Sequence, residues 1–379
     1  MNYFDHNATT PIAEPVLEAM LPFLREAYGN ASSRHELGTR AREAVEAARE
    51  QVAATVGVQP VQVVFTSGGT EANNLFVKGA ASRLKPTQIA VSAIEHPCVV
   101  EPAKQLVRHG WTFRQIDADS DGVIRVADLT VALDAPTGIV SVMLANNETG
   151  VIQPVARLGE LARAARALMH TDAVQAFGKI PVRFADLNVD AMTLSSHKIY
   201  GPKGAGALIV DKRLDLQPLL AGGGHERGMR SGTENVAAIV GFGAAAELAV
   251  VLQESYGGHV EPLRAKLEAG LRERGARIFG DGVDRVPNTT YFAFPEVEGE
   301  TLVIQLDAAG FATASGAACS SHHSGPSPVL LAMGVDSAMA SRAVRVSLGR
   351  GNEEAQIDAF LDALDAILGR LKRMAAIAA

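Results

Sequence analysis

The sequence predicts an α/β protein in which a large domain with a mainly parallel seven-stranded sheet is followed by a smaller α+β domain. Three observations support this prediction. Short apolar runs alternate with longer segments of helical periodicity up to about residue 250. The chain has 379 residues, more than a single small core requires. After residue 260 the pattern changes to a charged helix, short strand-like runs and a closing helix.

Seven short apolar runs predict the strands of the large sheet: residues 61–65, 88–92, 111–115, 138–145, 168–172, 191–195 and 206–210. Between several of them lie amphipathic segments, such as residues 40–56 and 155–167, whose apolar side chains recur at helical spacing. Alternating strands and helices are typical of a parallel sheet covered by helices on both faces. We therefore assign residues 13–260 to a large domain.

The remaining residues predict the smaller domain. A charged helix pattern begins near Glu261, after Gly257 and Gly258, and the runs NTTYFAF and AVRVSL are typical of strands. The segment EEAQIDAFLDALDAILGRLKRM predicts a closing amphipathic helix. We assign residues 261–379 to this domain and expect residues 1–12 to pack with it, although periodicity alone does not place them.

Composition argues against several classes of protein. The formal net charge of −7 does not suit a partner such as nucleic acid or an anionic membrane. Two cysteines cannot make a disulfide framework or a four-cysteine zinc site. The N-terminal MNYFDHNATTP has no signal-peptide pattern, and no apolar run is long enough to cross a bilayer. We expect a cytoplasmic protein without membrane or direct nucleic-acid partners.

Polar residues follow four of the predicted strands, at residues 66–70, 146–150, 171–175 and 195–198. Ligands of open α/β sheets bind at the carboxyl ends of the strands, so these segments are expected on one edge. In FTSGGTEANN, Gly69 and Thr70 lie between a strand and a helix pattern, where backbone N–H groups and the helix dipole favour a phosphate. The alternative is a structural glycine turn with a threonine cap.

The segment SSHKIYGPKG places Lys198 directly after a predicted buried strand, with Ser195 and His197 beside it. Partial burial lowers the pKa of a lysine amine, and a neutral amine can form a Schiff base with a carbonyl. The alternative is a solvated lysine at a loop edge. The GPKGAG that follows precedes a strand instead of opening a helix, so it is not a dinucleotide fingerprint.

Two further segments offer groups suited to a planar heterocycle. Asp172 in HTDAVQ ends a predicted strand, and a carboxylate there could keep a ring nitrogen protonated; it could also cap a following helix. His96 in IEHPCVV could stack on a ring, or be an ordinary loop residue. We assign no chemistry to Cys98. Together the four segments supply what a pyridoxal phosphate site needs.

At this point the sequence resembles the cysteine desulfurases of the NifS/IscS type, within the class V aminotransferase-like enzymes. The resemblance covers nearly the whole chain, through YFDHNATTP, GNASSRH, TSGGTEANN, EHP, ANNETG, HTDAVQAFGK, SSHKIYGPKG, GGGHERGMRSGTEN, SGAACSS and RVSLGR. It implies a homodimer of fold-type-I subunits with pyridoxal 5'-phosphate on Lys198. It also implies L-cysteine as substrate and an acceptor protein, such as an iron–sulfur scaffold or sulfur carrier.

The resemblance assigns roles to particular residues. It places the phosphate on Gly69, Thr70, Ser195 and His197, joined by Thr233 of the neighbouring subunit. It pairs Asp172 with the ring nitrogen, stacks His96 on the ring, and brings Gln175 and Asn147 near the ring hydroxyl. It matches Arg345 and Asn30 to a clamp for the substrate carboxylate, which a guanidinium fork suits.

Cys319 lies in SGAACSSHHSG, a run of small and polar residues unlike the surroundings of a buried structural cysteine. The resemblance makes it the nucleophile that takes sulfur from L-cysteine as a persulfide and leaves alanine. Where the family has an acidic residue after the cysteine, this chain has His322 and His323. A protonated histidine there could lower the Cys319 pKa; alternatively both are exposed residues without a role.

Three alternatives remain open at this stage. Cys319, His322 and His323 could ligate zinc, although a fourth ligand is not in sight, and we assign no metal ligand. The chain could be a related lyase or aminotransferase acting on another amino acid, such as selenocysteine. It could also be a non-catalytic sulfur carrier or scaffold. A scaffold would have no use for a combination of five residues that this chain retains: Lys198, Asp172, His96, Arg345 and Cys319.

Overall fold

The computed structural model describes residues 1–315 and 325–378. Its strands are β1 (Asn2–Tyr3), β2 (Val63–Thr66), β3 (Gln88–Ser92), β4 (Thr112–Ile116), β5 (Thr137–Ser141), β6 (Leu168–Asp172), β7 (Ala191–Ser195), β8 (Gly206–Val210), β9 (Arg277–Ile278), β10 (Thr289–Ala293), β11 (Phe311–Ala312), β12 (Ala314–Ser315) and β13 (Ala343–Ser347). Its α-helices are α1 (Glu14–Arg25), α2 (Glu36–Val56), α3 (Gly69–Ala81), α4 (Pro97–Leu106), α5 (Val126–Leu133), α6 (Val155–Ala164), α7 (Val236–Val251), α8 (Gln253–Glu273), α9 (Gly299–Ala308), α10 (Pro328–Ala332), α11 (Ser337–Ser341) and α12 (Glu354–Ala378).

The large sheet has the strand order β2-β8-β7-β6-β5-β3-β4, and only β8 runs antiparallel to its neighbours. The predicted seven-stranded, mainly parallel sheet is therefore confirmed. The strand predicted over residues 138–145 ends at Ser141. Beyond it, the N–H groups of Val142 and Leu144 still donate to backbone carbonyls of strand β6. Most side chains of the sheet are buried, because helices cover both faces.

Two predicted helices of the large domain differ from the structure only at their ends. Helix α2 begins before residue 40, because the His35 ring caps its first turn. Its last residue is Val56, and Gly57 follows as the C-cap with φ +72°. Helix α6 ends at Ala164, three residues before the predicted end. The chain turns at Arg166, whose φ of 60° is incompatible with a continuing right-handed helix.

The helix predicted to begin near Glu261 starts eight residues earlier, and that part of the prediction is wrong. Gly257 and Gly258 lie inside α8, where a Cβ atom would meet no neighbour within 4 Å. Glycine lowers helix propensity by about 1 kcal/mol, and the packing of Tyr256 and Val260 in the core outweighs it. The proposed domain boundary falls within this helix, and the division into two domains stays a prediction.

The C-terminal part builds its own core around the sheet β12-β13-β10-β9. The first residues of the chain join it, since β1 pairs in parallel with β11 and the Phe4 ring contacts those of Phe311 and Phe360. Asp5 then bridges to Ser347 at the end of β13. This pairing brings the segment that follows, residues 6–10, to the carboxyl-end edge of the large sheet.

Within residues 1–315 and 325–378, no single helix has the length and hydropathy to cross a membrane. Only α7 and α8 taken together would pass that test, and they are bent by 68°.

Candidate functional site

A cavity of about 350 Å³ lies at the carboxyl-end edge of the large sheet. The structure brings ten of the residues singled out from the sequence to its wall: Gly69, Thr70, His96, Asn147, Asp172, Gln175, Ser195, His197, Lys198 and Arg345. The predicted convergence of strand ends is thus found. The wall also contains residues for which the sequence predicted no chemistry: Asn7, Ala8, Asn73, Cys98, Met143 and Val174.

One end of the cavity is formed by the turn between β2 and α3. Gly68 precedes the helix with φ +152°, and a Cβ on Gly206 of β8 would lie 2.7 Å from the Gly68 backbone. The close approach requires glycine at position 206, and the positive φ favours glycine at position 68. The Ser195 hydroxyl is buried there without a hydrogen-bond partner among the described residues. A helix start beside an unsatisfied hydroxyl suits a phosphate group.

Lys198 lies in the single 3-10 turn after β7, at the middle of the cavity wall. Its Nζ donates to the carbonyl oxygens of Asn7 at 2.6 Å and Ala8 at 2.7 Å. Beside it, burial and then the Lys198 charge lower the pKa of His197 to about 4. His197 is therefore neutral at physiological pH, and its Nδ1 lies 3.2 Å from the Thr9 hydroxyl.

Asp172 closes the opposite wall, at the last residue of β6. Its Oδ1 accepts from the Val174 N–H at 2.9 Å, and its Oδ2 accepts from Asn73 Nδ2 at 2.7 Å. The residues after Asp172 form turns, so the alternative in which it caps an α-helix does not apply. A buried carboxylate held in place by two N–H donors is suited to face an N–H group of a ligand.

His96 lies at the other side of the cavity, as the N-cap of α4. Its Nδ1 accepts from the Cys98 N–H at 3.2 Å. Burial lowers the pKa of His96, and the charge of Lys198 adds to this effect while Asp172 opposes it. Cys98 is half-buried, and burial raises the pKa of its thiol to about 12. The thiol is therefore protonated and not a nucleophile at neutral pH.

Arg345 reaches the cavity from β13 and is only 4% exposed. One guanidinium nitrogen donates to the Asn147 carbonyl at 2.9 Å, and another pairs with Asp5 Oδ1 at 2.7 Å. The paired carboxylate and carbonyl fix the plane of the guanidinium. A fixed planar fork at the cavity wall is the geometry that recognises a carboxylate.

The N-terminal segment supplies a hydrogen-bond centre that the sequence did not reveal. Asn7 Nδ2 donates to the Asn147 carbonyl, and Asn7 Oδ1 accepts from Lys179 Nζ at 2.7 Å. The Asn7 carbonyl accepts from both Gln175 Nε2 and Lys198 Nζ. Lys179 also donates to Gln175 Oε1 at 2.8 Å. Only the polar character of DHNATT hinted at this, because its partners lie more than 130 residues away.

Lys179 is a buried lysine whose hydrogen-bond partners are two neutral amides. Burial lowers its pKa well below the ordinary value, and the charges of Lys198 and Arg345 add to this. On the other side, burial raises the pKa of Glu95 to about 8, behind His96. Perturbed groups of both kinds around one cavity are typical of functional sites.

Two predicted residues do not line the cavity, and a third lies outside the described residues. Asn30 is exposed in the loop after α1, where its Oδ1 accepts from the Ser32 N–H. Thr233 is exposed on the segment before α7. A role for Thr233 would require a second copy of the chain, so the assignment stays a prediction. Cys319, with His322 and His323, falls in residues 316–324, outside the described residues. Within the described residues, no group of three potential metal ligands occurs.

Comparison with known proteins gives consistent matches over nearly the whole chain. The sequence model of the family "Aminotransferase class-V" matches residues 2–360. A curated cysteine desulfurase from Cereibacter sphaeroides is 44% identical over 377 residues, which cover 98% of this chain and 97% of that protein.

Solved structures give the same result. A NifS-like protein superposes with a TM-score of 0.92 and 40% identity, over 97% of this chain and 99% of the other. A second structure, SspA in complex with cysteine, has a TM-score of 0.82 and 33% identity, and the match covers 92% of this chain and 99% of that one.

Proposed function

The chain belongs to the class V aminotransferase family, and from that membership we propose that it is a cysteine desulfurase dependent on pyridoxal 5'-phosphate. The observation that carries the proposal is the cavity in which Lys198, Asp172 and His96 converge, at the strand edge where α/β enzymes bind ligands. The names of the relatives do not favour the alternative of a lyase or aminotransferase acting on another amino acid.

The residues of the cavity fit pyridoxal phosphate. Gly69, Thr70 and the unsatisfied Ser195 hydroxyl would hold the phosphate at the start of α3. The amine of Lys198 would hold the aldehyde, and Asp172 would pair with the ring nitrogen. Because the Asp172 carboxylate is already fixed by Asn73 and the Val174 N–H, binding would not require it to reorganise.

The remaining wall would orient the ring and the substrate. His96 would stack on the ring, with Gln175 and Asn147 near its hydroxyl. When bound, pyridoxal phosphate supplies an aldehyde that condenses with amines and a ring that delocalises carbanion electrons. Arg345 would bind the substrate carboxylate, and Asn30 would assist it from a loop that does not line this cavity. The Nζ of Lys198 would accept the α-proton, since it lies among these groups at the centre of the wall.

We propose L-cysteine as the substrate, a choice supported by the relative that was solved in complex with cysteine. Cys319 would accept the sulfur. The substrate Cβ–S bond breaks, an S–S bond forms on Cys319, and the proton of the Cys319 thiol formally replaces sulfur on the substrate carbon. The products are L-alanine and a Cys319 persulfide, and the balance needs no external oxidant or reductant.

The proposal extends to partners and location. The enzyme would act as a homodimer in the cytoplasm, with Thr233 of each subunit completing the phosphate site of the other. The persulfide would pass to an acceptor protein, for iron–sulfur cluster assembly or for another thiolation pathway. The net charge of −7 gives no support to a direct nucleic-acid partner.

The test is release of alanine and sulfide from L-cysteine by the cofactor-loaded protein, with a reductant present, beside Cys319→Ser. The wild type is expected to release both in equal amounts. Cys319→Ser is expected to bind cysteine but to lose turnover by roughly a thousandfold, because a hydroxyl cannot accept the sulfur. Full turnover in this variant would show that Cys319 is not the nucleophile. Selenocysteine and other amino acids would then be tested as substrates.

A further inference from the structure

A backbone N–H group two residues further along the chain determines which ring nitrogen of His96 carries the proton. The backbone N–H of Cys98 points to Nδ1 of the ring at 3.2 Å. A backbone N–H can only donate, so Nδ1 must be the unprotonated nitrogen. Neutral His96 therefore carries its proton on Nε2.

The side chain of Cys98 adds a second contact to the same nitrogen. Its Sγ lies 2.9 Å from His96 Nδ1. Because Nδ1 is unprotonated, the thiol is the donor in this contact. Burial, which raises the pKa of the thiol to about 12, keeps the proton available for donation.

Asn73 and the Thr70 side chain also hydrogen-bond to the thiol. The contacts of Asn73 extend further. Its Nδ2 donates to Cys98 Sγ at 3.0 Å and also to Asp172 Oδ2 at 2.7 Å. Asn73 is fully buried, and its orientation is forced, because the reversed amide would place an oxygen against the Asp172 carboxylate. Its own Oδ1 has no partner among the described residues. A continuous chain of donors therefore runs from Asn73 through Cys98 to His96.

We infer that Cys98 and Asn73 are positioning residues that hold His96 as a neutral ring with its proton on Nε2. The role of His96 toward the cofactor rests on the proposed function, whereas the protonation state does not. Both residues line the cavity, and their hydrogen bonds to His96 and Asp172 are the route by which they act. If the proposed function is right, the chain uses one of its two cysteines as a sulfur nucleophile and the other as a hydrogen-bond donor.

Other charges also act on His96 and must be held constant in a test. The titratable groups that line the two cavities beside it are Glu95, Cys98, Glu101, Lys104, Glu148, Asp172, His197, Lys198 and Arg345. Substitution of Cys98 by serine, alanine or valine changes none of the charges at neutral pH, since the thiol is protonated. These three variants therefore isolate the hydrogen bond.

The experiment is an NMR pH titration of ¹⁵N-labelled histidine in the cofactor-free full-length protein, with His96→Gln to assign the signal. In the wild type the signal of His96 is expected to show the Nε2–H tautomer, with a titration midpoint below that of an ordinary histidine. Cys98→Ala removes a bond made only when Nδ1 is unprotonated, so the midpoint is expected to rise by about half a pH unit or more. Cys98→Val tests the same loss at a volume close to that of cysteine.

Cys98→Ser retains a donor and is expected to keep the wild-type midpoint within a few tenths of a unit. An unchanged midpoint in both Cys98→Ala and Cys98→Val would overturn the inference. A shift in Cys98→Ser as large as that in Cys98→Ala would also overturn it, because the donor would then be irrelevant. If the wild type failed to desulfurate cysteine while these shifts were observed, the proposed function would fall and the inference would stand.

Discussion

The cavity has two walls of different origin. One wall consists of residues at the ends of strands of the large sheet or within a few residues of them, including Asp172, Gln175 and Lys198. The other is the N-terminal segment, where Asn7 and Ala8 are carried in by the pairing of β1 with β11. The two walls meet at the Asn7 carbonyl, which accepts hydrogen bonds from Gln175 and Lys198.

The two walls contribute different kinds of chemical group to the site. The strand ends supply groups that can exchange protons or carry charge, whereas the N-terminal segment supplies neutral amides and carbonyls that orient them. A site built in this way depends on two regions that lie 168 to 191 residues apart in the sequence. Reactive groups on one wall should be sensitive to the loss of neutral groups on the other.

The largest effect is expected on the strand-end wall. Lys198→Ala removes the amine at the centre of the cavity and should lower alanine formation by more than about a thousandfold. Lys203→Ala is the matched control, because Lys203 is exposed five residues further along the same loop. Steady-state alanine formation by both variants provides the measurement. Comparable rates for the two variants would show that the strand-end wall is not the reactive one.

Asn7→Ala tests the other wall and should have a smaller effect on turnover, of about ten- to a hundredfold. It should also lower the free energy of unfolding by about 3 kcal/mol. Asn7 is 1% exposed, and its loss leaves the Asn147 carbonyl and Lys179 without one partner each. Urea unfolding and alanine formation measure the two effects.

Asn2→Ala is the control for Asn7→Ala. Asn2 lies in the same segment and accepts one hydrogen bond from Gln356, so less than about 1 kcal/mol should be lost. Equal destabilisation by the two substitutions would mean that Asn7 contributes no more than an ordinary N-terminal residue. That result would contradict the proposal that the N-terminal wall orients the reactive groups.

The two walls also differ in how far the sequence predicted them. Gly69, Asp172 and Lys198 each follow an apolar run of strand length, so the position of the strand predicts the position of the polar residue. Four of the predicted strands, β3, β6, β7 and β8, have the observed ends, because a strand buried on both faces has a continuous apolar pattern that stops where the chain leaves the sheet.

Asn7 and Cys98 lacked any such signal. The contacts of Asn7 are set by β1 pairing with β11, a two-residue ladder across about 300 positions that leaves no periodicity. Cys98 was assigned no chemistry, because a cysteine after His-Pro has no pattern that distinguishes a core residue from a donor to His96. The start of α8 was predicted wrongly for a related reason, since the burial of Tyr256 and Val260 outweighed the local glycine signal.

The effect that is most specific to the junction of the walls concerns Lys179. Its pKa is lowered because burial and the charges of Lys198 and Arg345 disfavour the ammonium form. In the pH range between the folded and the unfolded pKa, the unfolded chain binds more protons than the folded one. The contribution of Lys179 to stability therefore rises with pH, by at most about 1.4 kcal/mol per unit.

Lys179→Met removes this titration. The free energy of unfolding of the wild type should therefore increase relative to that of the variant between pH 7 and pH 10. Lys85→Met, at an exposed lysine, should follow the wild type throughout. Parallel curves for the wild type and Lys179→Met would mean that Lys179 keeps its ordinary pKa, and thus that it remains charged. A charged Lys179 would act on Lys198 by repulsion in addition to orienting Asn7 and Gln175, so it would tune the reactive amine as well as join the two walls.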